Sequence, residues 1–265
     1  MLYYASATFC DEDTITYWQC GSACTHTQGV GAITVVSDFL DGTYGYVAYN
    51  NRTNDIVVAF RGSYDYANWY EDGEYKLTPY KTGPEGAEVH YGFYTDYQDL
   101  SSQVISAVDR YLTEHPTAII SVTGHSLGAA LATFAALDIK EQIKPANSFY
   151  FYTFGSPRCG NQAFTDYMFN RFPANSYSRV VHYSDIVPHL PLTAMGFNHA
   201  GLEVWYNDNS NVLSYVTCPQ IRGQPESEAC SDSLYVYDPS EHLDYIGIDV
   251  IGQCTTPASI ELDWY

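Results

Sequence analysis

The pentapeptide Gly124-His125-Ser126-Leu127-Gly128 sets a serine hydroxyl between two glycines. Serine is a weak nucleophile until a base takes its proton, and the base needs a carboxylate to fix its tautomer. The chemistry such a serine performs is acyl transfer through a covalent ester on its Oγ. G-x-S-x-G carries that meaning between a strand and a helix. There a sharp turn strains the serine, exposes Oγ, and uses the glycines where a Cβ would collide. Alone, the pentapeptide fits a serine capping a helix equally well. At the N-terminus of the following helix the backbone N–H of Leu127 is a candidate oxyanion donor.

Partners for Ser126 are sought downstream, because in sheets of this kind the acid follows the serine and the base comes last. Asp185 follows the segment Arg179–Tyr183, at the carboxyl end of a strand, where ligands bind in such sheets. A turn aspartate is the plain alternative. Four histidines lie beyond Ser126: His182, His189, His199 and His242. His182 sits inside the strand and precedes Asp185, and His189 follows that acid closely. His199 precedes the segment Gly201–Tyr206 and reads as a satisfied core histidine. His242 lies in the acidic loop Asp238-Pro-Ser-Glu-His, ahead of an apolar segment. The residues rank His242 above His199 as the base, and both stay open.

The elements that must hold these residues follow from periodicity. Asp55–Phe60 (DIVVAF) and Thr117–Thr123 (TAIISVT) are apolar runs of the kind that doubly covered strands show. Gly31–Ser37 and Gly42–Asn50 read as strands joined at Asp41-Gly42, a hairpin signal, so the first quarter reads as strands. Ser148–Phe154 and Arg179–Tyr183 are further strands. Thr95–His115 is predicted helical, with Leu100, Val104, Ile105, Val108 and Leu112 on one face and Pro116 as the stop. Ser126–Ile143 is a helix rich in small residues, and Gln162–Phe172 another. Strands alternating with helices imply an α/β fold: a mainly parallel sheet with helices on both faces. No repeat or linker divides the chain, so residues 1–265 are read as one domain.

Composition narrows the function. Of 265 residues 46% are hydrophobic and 16% charged, which suits a large core. The 26 tyrosines suit half-buried strands and grooves, and most are read as filler. A net charge of −20 opposes nucleic-acid binding and anchoring to anionic lipid through a basic patch. No stretch approaches the apolar length of a transmembrane helix. The start, MLYYASATFCDEDT, has neither the basic region nor the apolar run of a signal peptide, so Met1 is read as heading a mature sequence. Seven cysteines, with Cys159 alone in the middle, point to three disulfides, one free thiol and an oxidising compartment. Cys20 and Cys24 lack a second metal-ligand pair, and no metal or other cofactor is expected. Asn51-Arg52-Thr53 is a glycosylation sequon.

The segments IVVAFRGS (56–63), NWYED (68–72), EVHYGF (88–93), VTGHSLGAALA (122–132), YTFGSPRCGN (152–161), RVVHYSDIVPHLP (179–191), FNHAGLEVWYNDN (197–209) and HLDYIGI (242–248) resemble the class 3 lipases, the filamentous-fungal triacylglycerol lipase family. FRGS, GHSLG and DIVPHLP together are more specific than any one alone. The resemblance implies an α/β-hydrolase fold, and a triad of Ser126, Asp185 and His242. It implies oxyanion donors at Leu127 and Ser63, with Asp72 holding the Ser63 side chain and His125 supporting the site. It implies disulfides Cys10–Cys254, Cys20–Cys24 and Cys218–Cys230, with Cys159 free and buried. A lid is implied at about 64–72, where Trp69 matches the family while Tyr64, Tyr66 and Tyr70 depart from its aliphatic residues. Leu190, Leu192, Leu243 and Ile246 match the acyl groove. The expected protein is a secreted, monomeric serine esterase acting on acylglycerols at an oil–water interface. The tyrosine-rich lid also resembles those of feruloyl esterases, which makes soluble or cell-wall phenolic esters the alternative substrates. A non-catalytic binding protein on the same scaffold is the alternative of another class, and a serine peptidase a more distant one.

Overall fold

A computed structural model describes residues 1–38, 42–63, 75–172 and 176–254. Three short helices open the chain: α1 (Leu2–Ala7), α2 (Glu12–Thr16) and α3 (Ser22–His26). Strands β1 (Val30–Ser37), β2 (Tyr44–Asn50) and β3 (Asp55–Phe60) follow, then an antiparallel pair, β4 (Leu77–Pro79) and β5 (Glu88–His90). Helix α4 (Tyr91–Glu114) leads to β6 (Ile119–His125), α5 (Leu127–Asp138), β7 (Phe149–Phe154), α6 (Gln162–Arg171), β8 (Tyr177–His182), β9 (Leu202–Tyr206) and β10 (Val216–Cys218). Among the described residues the main sheet has eight strands, in the order β1-β2-β3-β6-β7-β8-β9-β10. β3, β6, β7, β8 and β9 run parallel, and β1, β2 and β10 extend the two edges antiparallel. This is the α/β-hydrolase arrangement, and it brings the ends of β6 and β8 to one edge of the sheet.

Alternation on the strands builds a core on each face. Ile56, Val58 and Phe60 of β3 and Ile120 and Val122 of β6 pack with Val104 and Val108 of α4 and with Leu131 and Phe134 of α5. The opposite side chains of β3 and β6 face α1, whose Ala7 packs with Ala59, while its Leu2 and Ala5 join Phe9, Phe154 and Val180. Helices therefore cover both faces.

Several boundaries differ from the sequence pattern for local reasons. The first 29 residues hold the three helices, each too short to show a periodic stripe, and not strands alone. α4 starts at Tyr91 and not Thr95, because the His90 ring accepts a hydrogen bond from Phe93 N at 3.3 Å and caps it. β6 continues past Thr123 through Gly124 and His125. The helix after Ser126 is regular to Asp138, then widens to a π turn over Ile139–Ile143 that ends at left-handed Lys144. Cys10 is joined to Cys254, Cys20 to Cys24 and Cys218 to Cys230, while Cys159 is a buried free thiol. Asp41 lies outside the described residues. Within the described residues no helix is long and apolar enough to cross a membrane.

Candidate active site

Ser126 stands between the last residue of β6 and the first of α5, with φ 59° and ψ −130°. A side-chain-bearing residue adopts that conformation at a cost, and only where its surroundings over-determine it. Here they do. The Ser126 N–H donates to Phe154 O at 3.0 Å, and its carbonyl accepts from Ala129 N at 2.9 Å. A Cβ on Gly124 would fall 2.1 Å from Gly128 O, and one on Gly128 would fall 2.2 Å from Phe60 O. Both glycines are thus demanded by the close approach of α5, β6 and β3. The loop after β3 lies against the serine: a Cβ on Gly62 would fall 3.0 Å from the Ser126 Cβ. That approach brings half-buried Ser63 toward the same turn, while Leu127 begins α5, where first-turn N–H groups have no helical acceptor.

Asp185 and His242 meet 57 residues apart in the chain. His242 Nδ1 donates to Asp185 Oδ2 at 2.9 Å, and both residues are fully buried. The same Oδ2 accepts the Tyr245 hydroxyl at 2.5 Å, while Oδ1 accepts Val187 N at 2.9 Å. Burial by itself would raise the Asp185 carboxyl, but the charge of His242 and these hydrogen bonds hold it below the usual carboxylate range. Tyr245 is pushed well above the usual phenol range by burial and by the Asp185 charge, so it stays a donor. With its Nδ1–H committed to Asp185, the His242 ring keeps Nε2 for accepting a proton.

His125 ties this pair to the serine turn. Its ring packs against that of His242, tilted by 33° with centroids 4.5 Å apart, and its Nε2 donates to His242 O at 2.7 Å. Burial and the neighbouring His242 push His125 down to about 3, so its ring is neutral and takes the Nε2–H tautomer. Gly155, at φ +57°, completes the contact: a Cβ there would fall 2.9 Å from His242 Cε1 and 2.8 Å from the Tyr245 hydroxyl.

The other histidines are accounted for elsewhere. His199 is buried with Nε2 donating to Pro188 O at 2.6 Å, and His182 pairs with Glu241 at 2.9 Å. His189 faces Asp232 at 3.5 Å and packs on Tyr237. The four groove candidates have unlike surroundings. Leu190 is buried and its carbonyl accepts Arg158 N, Leu192 is exposed, and Leu243 is half-buried. Ile246 is half-buried and packs against the cluster of Leu2, Phe9 and Val250 beneath α1. Asp72 and the expected lid residues Tyr64, Tyr66, Trp69 and Tyr70 lie outside the described residues.

Sequence reasoning missed Tyr245, although its place three residues after His242 was a usable signal. It also missed Arg158, which is paired with Glu226 and donates to the carbonyls of His189 and Pro191, holding the loop after Asp185. Exposed apolar side chains occur on the segments next to Asp185 and His242 in sequence. Tyr183 precedes Asp185, Leu192 and Met195 follow the same loop, and Tyr235 and Val236 precede His242. Val212 lies 3.2 Å from where a Gly247 Cβ would be, with Leu213 exposed beside it.

The profile of the family described as Lipase (class 3) matches residues 57–195. The lipase of Rhizomucor miehei is 34% identical over 241 residues, 90% of this chain. The chain belongs to the class 3 lipase family. The secreted mono- and diacylglycerol lipase A of Penicillium cyclopium is 34% identical over 195 residues, 71% of this chain and 61% of that protein. A solved triacylglycerol lipase whose catalytic centre is a serine protease triad superposes with a TM-score of 0.84 at 32% identity, covering 94% of this chain and 93% of that one. The class 3 lipase chain spans 64% of the length of the Rhizomucor protein.

Proposed function

We propose that the chain hydrolyses carboxylic esters through an acyl-enzyme on Ser126, with acylglycerols at an oil–water interface as substrates. The observation that carries this reading is the buried Asp185–His242 pair, joined through the His125 ring and its hydrogen bond to the positive-φ turn that bears Ser126. In the proposed cycle His242 Nε2 takes the Ser126 proton as Oγ attacks the ester carbonyl. The N–H groups of Leu127 and Ser63 hold the oxyanion, and His242 then protonates the departing alcohol. Water, deprotonated by the same imidazole, attacks the acyl-enzyme, releases the acid and returns the proton to Ser126. No step calls for a metal or organic cofactor. The complete set Ser126, Asp185, His242 and Ser63 favours catalysis over a binding-only role.

The exposed apolar residues on the segments that carry Asp185 and His242 support an oily substrate, to which such side chains are suited. The phenolic-ester alternative rests on residues 64–72, which lie outside the described residues. Secretion belongs to the same proposal: three disulfides suit an oxidising compartment, and Asn51 is exposed in the turn between β2 and β3. Tributyrin hydrolysis followed through the solubility limit tests the reading. The expected result is a rise in rate when droplets appear, and none from Ser126→Ala with its fold intact. Substantial turnover by Ser126→Ala removes the nucleophile assignment. Smooth saturation together with faster cleavage of methyl ferulate moves the substrate class to phenolic esters.

A further inference from the structure

His242 sits on a 3₁₀ turn of only five residues, Pro239–Leu243. So short a helix has almost no stability of its own, and its place must come from contacts with its neighbours. Two of these run through His242 itself: its ring to Asp185, and its carbonyl to His125. A third, which the catalytic cycle does not use, runs through the residue before it. Glu241 Oε2 accepts His182 Nε2 at 2.9 Å, with both side chains largely buried, and Glu241 Oε1 accepts Asn209 Nδ2 at 2.7 Å. His182 is the last residue of β8, and its carbonyl accepts Asp185 N at 2.9 Å in the turn that carries the acid. Asp238 N donates to Ser184 O at 2.9 Å alongside.

The His182–Glu241 contact thus spans the same two segments as the Asp185–His242 bond, from the strand end bearing the acid to the turn bearing the base. The contacts through His242 itself and the Asp238–Ser184 bond leave the side of the turn at Glu241 to be held separately. The tie from the same strand end to Glu241 holds that side, and Asn209 steadies the carboxylate from the loop after β9. We infer that His182 and Glu241 are positioning residues, which set the angle at which His242 presents Nε2 to Ser126. This rests on the hydrolase reading above. Neither residue takes part in the proposed cycle.

The test compares wild type with Glu241→Ala, Glu241→Gln, His182→Ala and the double alanine variant. The assays are p-nitrophenyl butyrate hydrolysis and the rate of Ser126 labelling by a fluorophosphonate. Since misplacement of a reacting group by about 1 Å costs up to ~100-fold, Glu241→Ala is expected to lower kcat by roughly ten- to a hundredfold. KM should stay within about twofold and labelling should slow in parallel with kcat. Glu241→Gln, whose amide oxygen still accepts a hydrogen bond, should recover most of the rate. The double variant should lose no more than the worse single one, as for groups acting as a unit. Val104→Ala, far away in α4, is the control: an equal drop in thermal midpoint should leave kcat unchanged. Wild-type kcat in folded Glu241→Ala, a loss confined to KM, additive single losses, or a kcat loss matched by the control overturns the proposal while the hydrolase reading stands. A wild-type chain without esterase activity overturns both.

Discussion

Replacing Tyr245 by Phe removes one oxygen from a fully buried site and leaves the ring where it is. That oxygen is one of three donors on the Asp185 carboxylate, and it shares Oδ2 with His242. A hydrogen bond to a buried charge contributes about 1.5–3 kcal/mol, and Phe opens no cavity large enough to add to it. For a chain of this size about 2 kcal/mol corresponds to a fall of roughly 4–8 °C in thermal midpoint. If the whole of it were felt in the transition state, kcat would drop about thirtyfold, and a partial share gives a loss of roughly three- to thirtyfold. The pH dependence separates this cause from a general loosening. Asp185 is held below the usual carboxylate range partly by Tyr245, so its orienting charge is present above its folded pKa and lost as pH falls through it. Without the phenol that pKa moves up, and the acid limb of stability against pH should begin at higher pH. The assay is kcat for p-nitrophenyl butyrate, beside melting curves taken against pH. A Tyr245→Phe enzyme with unchanged midpoint and an unmoved acid limb would refute the role given to this hydrogen bond.

Gly155→Ala should lower kcat by about tenfold or more, because the new Cβ drives into His242 and Tyr245 at a positive φ; unchanged kcat on a soluble ester counts against the tight packing described. Acid should destabilise the fold in a defined window. Burial, aided by His242, pushes His125 down to about 3; burial pushes His90 down to about 4; and burial with Arg179 holds His199 well below 6.5. Between 6.5 and about 4 the unfolded chain therefore binds more protons, at about 1.4 kcal/mol per pH unit for each histidine. Burial raises Asp55 to about 6 and raises Asp138, which offsets part of this. The urea midpoint should fall steeply from pH 6 to pH 4, and a flat profile would show that these histidines are not buried neutral.

The site was legible where chemistry is local. GHSLG announces a strand, a strained turn and a helix within a few residues, and the collisions at Gly124 and Gly128 are of the kind the motif requires. DIVVAF and TAIISVT read as buried strands because the parallel centre of the sheet is covered on both faces. The opening helices were not legible, because five or six residues cannot show a helical stripe. Their place comes from packing Leu2, Ala5 and Ala7 under the sheet.

The choice between His199 and His242 shows where local information stops. Each is a histidine near a strand in the last third of the chain, and spacing ranks them without separating them. The fold separates them: Pro188 O takes the His199 ring, whereas Asp185, His125 and Gly155 form a socket around His242. The sequence by itself determined the proposed nucleophile, the alternation of strands and helices, and the family, because each is written in contiguous residues. Only the tertiary structure decided which groups surround the proposed acid and base. Tyr245, His182 and Glu241 act across gaps of up to 60 residues, and such contacts exist only once β8 and the turn carrying His242 are packed together.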